Sequence, residues 1–244
     1  MTNHPGEDGN EVTIGILMLN TRFRRWPGDI GNPETFPFPV RYRVIEDARP
    51  VRVTGLHDKA LLEPFIAAGH ELAAEGVAGI TTTCGFLSVF QDALVEALGI
   101  PVATSALLQV PLAQRLIPEG RRVGVLTFDG DALIGAYLED AGVPADTPVE
   151  GIGASSRFVR SILEGDDTVP FEVLRADALA AAERLIAQTP SIGAIVSECT
   201  NLAPFSTDIA DRFGLPVFDI NTLVHWLHDG MRPRRYPRPL PAPA

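Results

Sequence analysis

Apolar runs closed by turn signals alternate with amphipathic stretches along the chain. Val12–Leu19 (VTIGILML) predicts a buried strand. Leu61, Leu62, Phe65, Ile66, Leu72 and Ala73 recur at helical spacing. The pattern then predicts a strand over Val77–Thr83, a helix to Leu98, a short strand at Pro101–Thr104 and a helix from Ser105 to Leu116. Arg122–Phe128 (RVGVLTF) reads as another strand, with Asp129 or Asp131 as N-cap of the next helix. Helices are expected near Ala132–Ala141, Ser155–Leu163 and Phe171–Gln188. The strand Ile192–Val196, a helix, the strand Pro216–Ile220 and a helix ending at His228 complete the series. Strands alternating with helices specify an α/β fold with mostly parallel sheets covered on both faces.

The same pattern occurs twice. Cys84–Leu108 (CGFLSVFQDALVEALGIPVATSALL) aligns without gaps on Cys199–Leu223 (CTNLAPFSTDIADRFGLPVFDINTL) at a constant offset of 115, with seven identities. They are Cys84/Cys199, Leu87/Leu202, Phe90/Phe205, Gly99/Gly214, Pro101/Pro216, Val102/Val217 and Leu108/Leu223. Farther upstream, Ile14-Gly15-Ile16-Leu17 matches Val123-Gly124-Val125-Leu126 at an offset of 109. The chain is therefore expected to form two pseudo-symmetric lobes facing a shared cleft. Residues 12–105 with 220–231 would form the first and 106–219 the second, flanked by a flexible N-terminus (1–11) and a Pro/Arg-rich tail (232–244).

Composition narrows the chemistry. The 244 residues carry 20 basic and 31 acidic side chains, a net charge of −11, which disfavours a nucleic-acid partner. The last stretch, RPRRYPRPLPAPA, departs from this balance and reads as an extended tail. No apolar run is long enough to span a membrane and the first residues resemble no secretory signal, so a cytoplasmic protein is expected. Lys59 is the single lysine, at the exposed start of a predicted helix, which disfavours Schiff-base chemistry with pyridoxal phosphate. His225 and His228 lack a third ligand for a metal. Gly151-Ile-Gly153 lacks the third glycine of a dinucleotide fingerprint. Neither a metal nor a cofactor is called for.

Two cysteines remain, at equivalent points of the repeat, each at the carboxyl end of a strand and before a helix. Open parallel sheets bind ligands there, and a helix N-terminus favours a thiolate or an anionic substrate. Two opposed thiols, one ionised, can remove a proton from an α-carbon and return one to its other face. The motifs Thr-Thr-Cys84-Gly-Phe-Leu and Ser-Glu-Cys199-Thr-Asn-Leu, in duplicated lobes, resemble the aspartate/glutamate/hydantoin racemase superfamily. That group includes cofactor-independent racemases, maleate isomerases and arylmalonate decarboxylases. The resemblance implies that Cys84 and Cys199 are the acid/base pair, and, since the decarboxylases keep one of the two, it favours racemase or isomerase chemistry. Gly85-Phe86 replaces the usual Asn-Thr after the first cysteine, and Asn201 stands where glutamate racemases often carry His. The first departure suggests a more apolar wall; the second leaves thiol activation unexplained.

An acidic body must supply its own donors to a carboxylate substrate. The Arg-rich loop after the first strand supplies Asn20, Arg22 and Asn32, and its length suits a lid or binding loop. Thr83, Gly85, Thr127, Thr200 and Asn201 complete the expected substrate-binding set. The sequence thus points to a cofactor-independent racemase of an acidic amino acid or related α-substituted acid. Maleate isomerisation, hydantoin racemisation and non-catalytic binding of a small acid are the alternatives. Superfamily members are often dimers, so a homodimer is the implied assembly.

Overall fold

The computed structural model describes residues 11–56, 58–133 and 135–233. Two four-stranded sheets, all pairs parallel, form the frame. The first contains β1 (Ile14–Leu19), β2 (Val40–Ile45), β3 (Gly79–Thr82) and β4 (Val102–Ala103) in the order β2-β1-β3-β4. The second contains β5 (Arg122–Thr127), β6 (Val149–Gly151), β7 (Ile192–Ser197) and β8 (Val217–Phe218) in the matching order β6-β5-β7-β8. The central strands of both sheets are buried on both faces, which explains their unbroken apolar runs.

The helices α1 (Pro50–Leu56), α2 (Leu62–Ala74), α3 (Gln91–Leu98) and α4 (Val110–Leu116) precede the second sheet in the chain. They are followed by α5 (Gly135–Glu139), α6 (Arg157–Glu164), α7 (Phe171–Gln188), α8 (Ser206–Phe213) and α9 (Ile220–Met231). The upstream half of the repeat has a packing cause. A Cβ on Gly15 of β1 would lie 3.0 Å from Leu72 of α2, and one on Gly124 of β5 would lie 2.8 Å from Leu185 of α7. Each glycine lets a helix settle close against its sheet.

The downstream half is repeated in detail. Six residues after each cysteine wind as a 3-10 turn, Gly85–Phe90 and Thr200–Phe205, and an eight-residue helix follows, ended by left-handed Gly99 or Gly214. Sequence periodicity reads turn and helix as one element, since both keep apolar side chains on the inner face. Even a polar clamp recurs. Gln91 hydrogen-bonds Thr104, and at the equivalent positions the Ser206 hydroxyl donates to Asp219 at 2.6 Å.

β2, α1 and β6 escape the sequence pattern. The edge strand β2 (VRYRVI) carries two arginines, Arg41 pairing with Glu75 at the C-cap of α2 and Arg43 with Glu71 of α2. One core cluster runs through both lobes; a second gathers Ile14, Ile16, Ile30 and Phe36 with Ile220, Leu223, Val224 and Leu227 of α9. Phe38 stacks on His228 at 3.8 Å, further fastening α9 to the loop after β1, so this imidazole is part of the packing. No helix among the described residues is long and apolar enough to cross a membrane. The Pro/Arg-rich tail from 234 onward and the first ten residues lie outside the described residues.

Candidate active site

The cysteines end corresponding segments and line one cleft between the lobes. Cys84 is half-buried and Cys199 buried. At each, the backbone N–H two residues on, of Phe86 or Asn201, points at the sulfur and lowers its pKa. Burial pushes both thiols up more strongly, and the charge of Glu198 adds to the rise. The thiols therefore need help to ionise.

The lobes interlock around the pair by a crossing contact. The residue after each cysteine meets the residue before the other. Thr200 donates its hydroxyl to the Thr83 carbonyl at 2.7 Å. Gly85 lies against Glu198 so tightly that a Cβ would stand 2.3 Å from Oε1 and 2.5 Å from the Glu198 carbonyl oxygen. Thr83 and Glu198 are repeat partners, yet one is neutral and the other acidic. Glu198 is fully buried, accepts a 2.6 Å hydrogen bond from the Thr127 hydroxyl at Oε2, and has no hydrogen-bond partner for Oε1 among the described residues. Burial raises its pKa to about 7, against the lowering by Thr127.

The loop after β1 closes the cleft from one side. Thr21, Phe23 and Arg25 line it, while Arg22 and Arg24 between them are exposed. The chain bends at Phe23, and the Arg25–Thr21 hydrogen bond holds both ends of the bend toward the cleft. Arg25 pairs with buried Asp29 at 2.6 Å and donates to the Thr21 hydroxyl at 2.8 Å. Asp29 in turn accepts from the Asn201 amide at 2.8 Å, and Asn221 donates to the Gly28 carbonyl at 2.7 Å. Trp26 meets Phe171 edge-on at 5.4 Å. A loop expected as a lid is thus strapped across the second lobe.

Of the residues chosen from sequence, Cys84, Cys199, Thr83, Gly85, Thr200 and Asn201 come together on the cleft. Four do not, and the choice is corrected. Asn20 donates to the Glu46 carbonyl and carboxylate, away from the thiols. Arg22 lies beside Gly165, one residue out of register with the lining positions. Asn32 bonds the Arg25 carbonyl and the Glu34 N–H, which shapes the loop. Thr127 is buried behind the cleft, where it holds Glu198. Sequence reasoning missed Glu198, Arg25 and Thr21. An acid closing the apolar strand IGAIVSE was the available signal for Glu198. Phe86 lines the cleft, backed edge-on by Tyr137 at 5.0 Å, as the apolar wall expected after the first cysteine. Leu19, Pro50, Phe128 and Ile162 extend that wall.

Two duplicated parallel-sheet lobes with a thiol from each on one cleft define an α/β protein of the racemase and decarboxylase fold. The chain belongs to the Asp/Glu/hydantoin racemase family, whose model matches residues 43–227. It is 28% identical over 88% of its length to a dimethylsulfoniopropionate lyase of Durusdinium sp. clade D, covering 74% of that protein. It is also 28% identical over 86% of its length to dimethylsulfoniopropionate lyase 7 of Emiliania huxleyi, covering 64% of that protein. Among solved structures, unliganded arylmalonate decarboxylase superposes with a TM-score of 0.58 at 18% identity, over 93% of this chain and 96% of that one, a likeness of fold.

Proposed function

We propose that the protein removes a proton from the carbon next to a carboxylate by a cysteine thiolate and expels a leaving group from the adjoining carbon. The observation that carries this reading is a cleft with a thiol from each lobe, one cation, the Glu198 carboxyl and a wall of apolar side chains beside threonines and Asn201. Arg25 has donors beyond those given to Asp29 and Thr21, and supplies the positive charge against which an enediolate can develop. The aromatic and aliphatic wall of Phe86, Phe128, Leu19 and Ile162 suits a bulky apolar cation such as a dimethylsulfonium better than a second carboxylate. The lyase names of the relatives support the same substrate class. With dimethylsulfoniopropionate, the α C–H bond breaks toward sulfur and the electron pair forms the C=C bond. The β C–S pair then leaves with neutral dimethyl sulfide, so acrylate remains and the thiol holds the proton.

Racemisation of an acidic amino acid is a second reading, favoured by the second thiol, which elimination does not need. Both readings share the first step. Incubation in D2O with dimethylsulfoniopropionate, and separately with each enantiomer of aspartate and glutamate, tests them. Elimination should release dimethyl sulfide and acrylate in equal amounts. Deuterium entering Cα of an amino acid, without sulfide release, would transfer the assignment to the racemase. Absence of elimination and of α-exchange in every substrate would overturn the carbon-acid reading.

A further inference from the structure

Glu198 breaks the repeat at the residue before the second cysteine. Its repeat partner is Thr83, whose hydroxyl is satisfied by the Leu19 N–H at 3.0 Å. In the second lobe the equivalent position lines the cleft with a fully buried carboxyl, one oxygen on Thr127 and the other, Oε1, without a hydrogen-bond partner among the described residues. Room for that oxygen is made by Gly85, the neighbour of Cys84, at the position where the other lobe has Thr200. The ionisable or charged groups around it are Cys84 and Cys199, Tyr137 behind Phe86, and the Arg25–Asp29 pair on the loop after β1. Arg25 is held by Asp29 and the Tyr137 hydroxyl donates to the Val53 carbonyl at 3.2 Å, so the groups left to couple with Oε1 are the thiols.

We propose that Glu198 and Cys84 ionise as one coupled pair, in which the Cys84 thiolate forms while Glu198 is neutral and an ionised Glu198 opposes it. The thiol S–H bond breaks with its proton released to solvent, and the cleft then carries a single negative charge, on sulfur. A neutral Oε1 removes the repulsion that an ionised Glu198 exerts on the sulfur. In this role Glu198 acts through Cys84 and not on the substrate. The inference deepens the proposed function and rests on it for its catalytic meaning.

The test reads thiol ionisation without turnover, so its failure and that of the proposed function are separable. The rate of Cys84 carbamidomethylation by iodoacetamide is followed by peptide mass spectrometry from pH 5.5 to 9.5. In the native protein the rate should rise about tenfold per pH unit up to roughly pH 7, where Glu198 ionises, and then level off before a second rise. In Glu198→Gln the step should vanish, leaving one continuous rise. Thr127→Val keeps the carboxyl but removes the donor to Oε2, so the step should persist and move to higher pH. A native profile with no step, or a step that survives in Glu198→Gln, overturns the proposal. Thermal unfolding of each variant checks that the fold is kept, and the Thr127→Val shift stands as a second, independent requirement.

Discussion

Replacing Gly85 by alanine is the sharpest probe of the cleft. The new Cβ would sit 2.3 Å from Glu198 Oε1 and 2.5 Å from the Glu198 carbonyl oxygen, both well inside van der Waals contact. The carboxyl could rotate only by leaving Thr127. The carbonyl belongs to a backbone whose N–H is fixed on Leu126 at 2.8 Å. Relief must therefore come from separating the two lobes at their crossing point. Overpacking of this kind costs about 1–3 kcal/mol. For a chain of this size that lowers Tm by roughly 2–12 °C. The effect on turnover should be larger than the loss of stability, because a 1 Å displacement of reacting groups costs on the order of 100-fold. Calorimetry and turnover of Gly85→Ala, alone and combined with Glu198→Ala, give a double-mutant cycle. The alanine should cost less in the Glu198→Ala background, by about 0.5–3 kcal/mol, since the Oε1 contact is gone. Strict additivity, or native Tm and native turnover in Gly85→Ala, would refute the close approach and the interlock built on it.

Cys84→Ser should lower elimination by about 100- to 10,000-fold, the usual worth of a general base, whereas Cys199→Ser should retain elimination but abolish any racemisation; product assays separate the two. Asp29→Ala leaves Arg25 and Asn201 without their shared acceptor and should destabilise the fold by about 3–5 kcal/mol in chemical denaturation. Glu198 gives a signed pH dependence. Its folded pKa of about 7 lies above the ordinary glutamate value of 4.5, so its stabilising share is complete below about pH 4.5 and is lost as pH rises through 7. Over that window the native protein should lose about 3 kcal/mol relative to Glu198→Gln, and pH-resolved unfolding checks it. Leu202→Ala empties a fully buried position beneath Cys199 and should cost about 2–5 kcal/mol by the same method.

The frame is legible in the sequence because its causes are local and apolar. β1, β3, β5 and β7 are buried on both faces, and α7 can be placed to the residue, Phe171–Gln188, because its apolar positions run unbroken between Pro170 and Thr189. The repeat reveals the cysteine pair because equal spacing in two halves cannot be a property of one isolated residue. Elements escape where polarity and burial part company. β2 carries arginines on an edge, and β6 is three residues long. In the loop after β1 composition points to the right segment but not to its register. Chemistry alone favours Asn20 and Arg22, whereas the bend at Phe23 turns Thr21, Phe23 and Arg25 inward. That phase is set by the anchors on Asp29, Asn201 and Asn221, contacts between segments about 170 and 190 residues apart, which no local pattern encodes.

Symmetry explains how such a site arises, and its breaking explains what the site can do. With identical halves, the crossing contact would be Thr200 on Thr83 twice over, giving two thiols in equal surroundings and no preference for which one ionises. The chain departs from this at two positions that touch, Glu198 for a threonine and Gly85 for another. Either change alone is unfavourable: a glutamate without the glycine has no space, and the glycine without the glutamate leaves a gap at the lobe junction. Together they introduce one buried ionisable carboxyl that acts on both thiols from the second lobe, and nothing equivalent in the mirrored position. A racemase acting equally on two enantiomers gains little from unequal thiols, but an elimination needs one base and a neutral path for its leaving group. The asymmetry at positions 85 and 198 is therefore the structural feature on which the proposed one-directional chemistry rests.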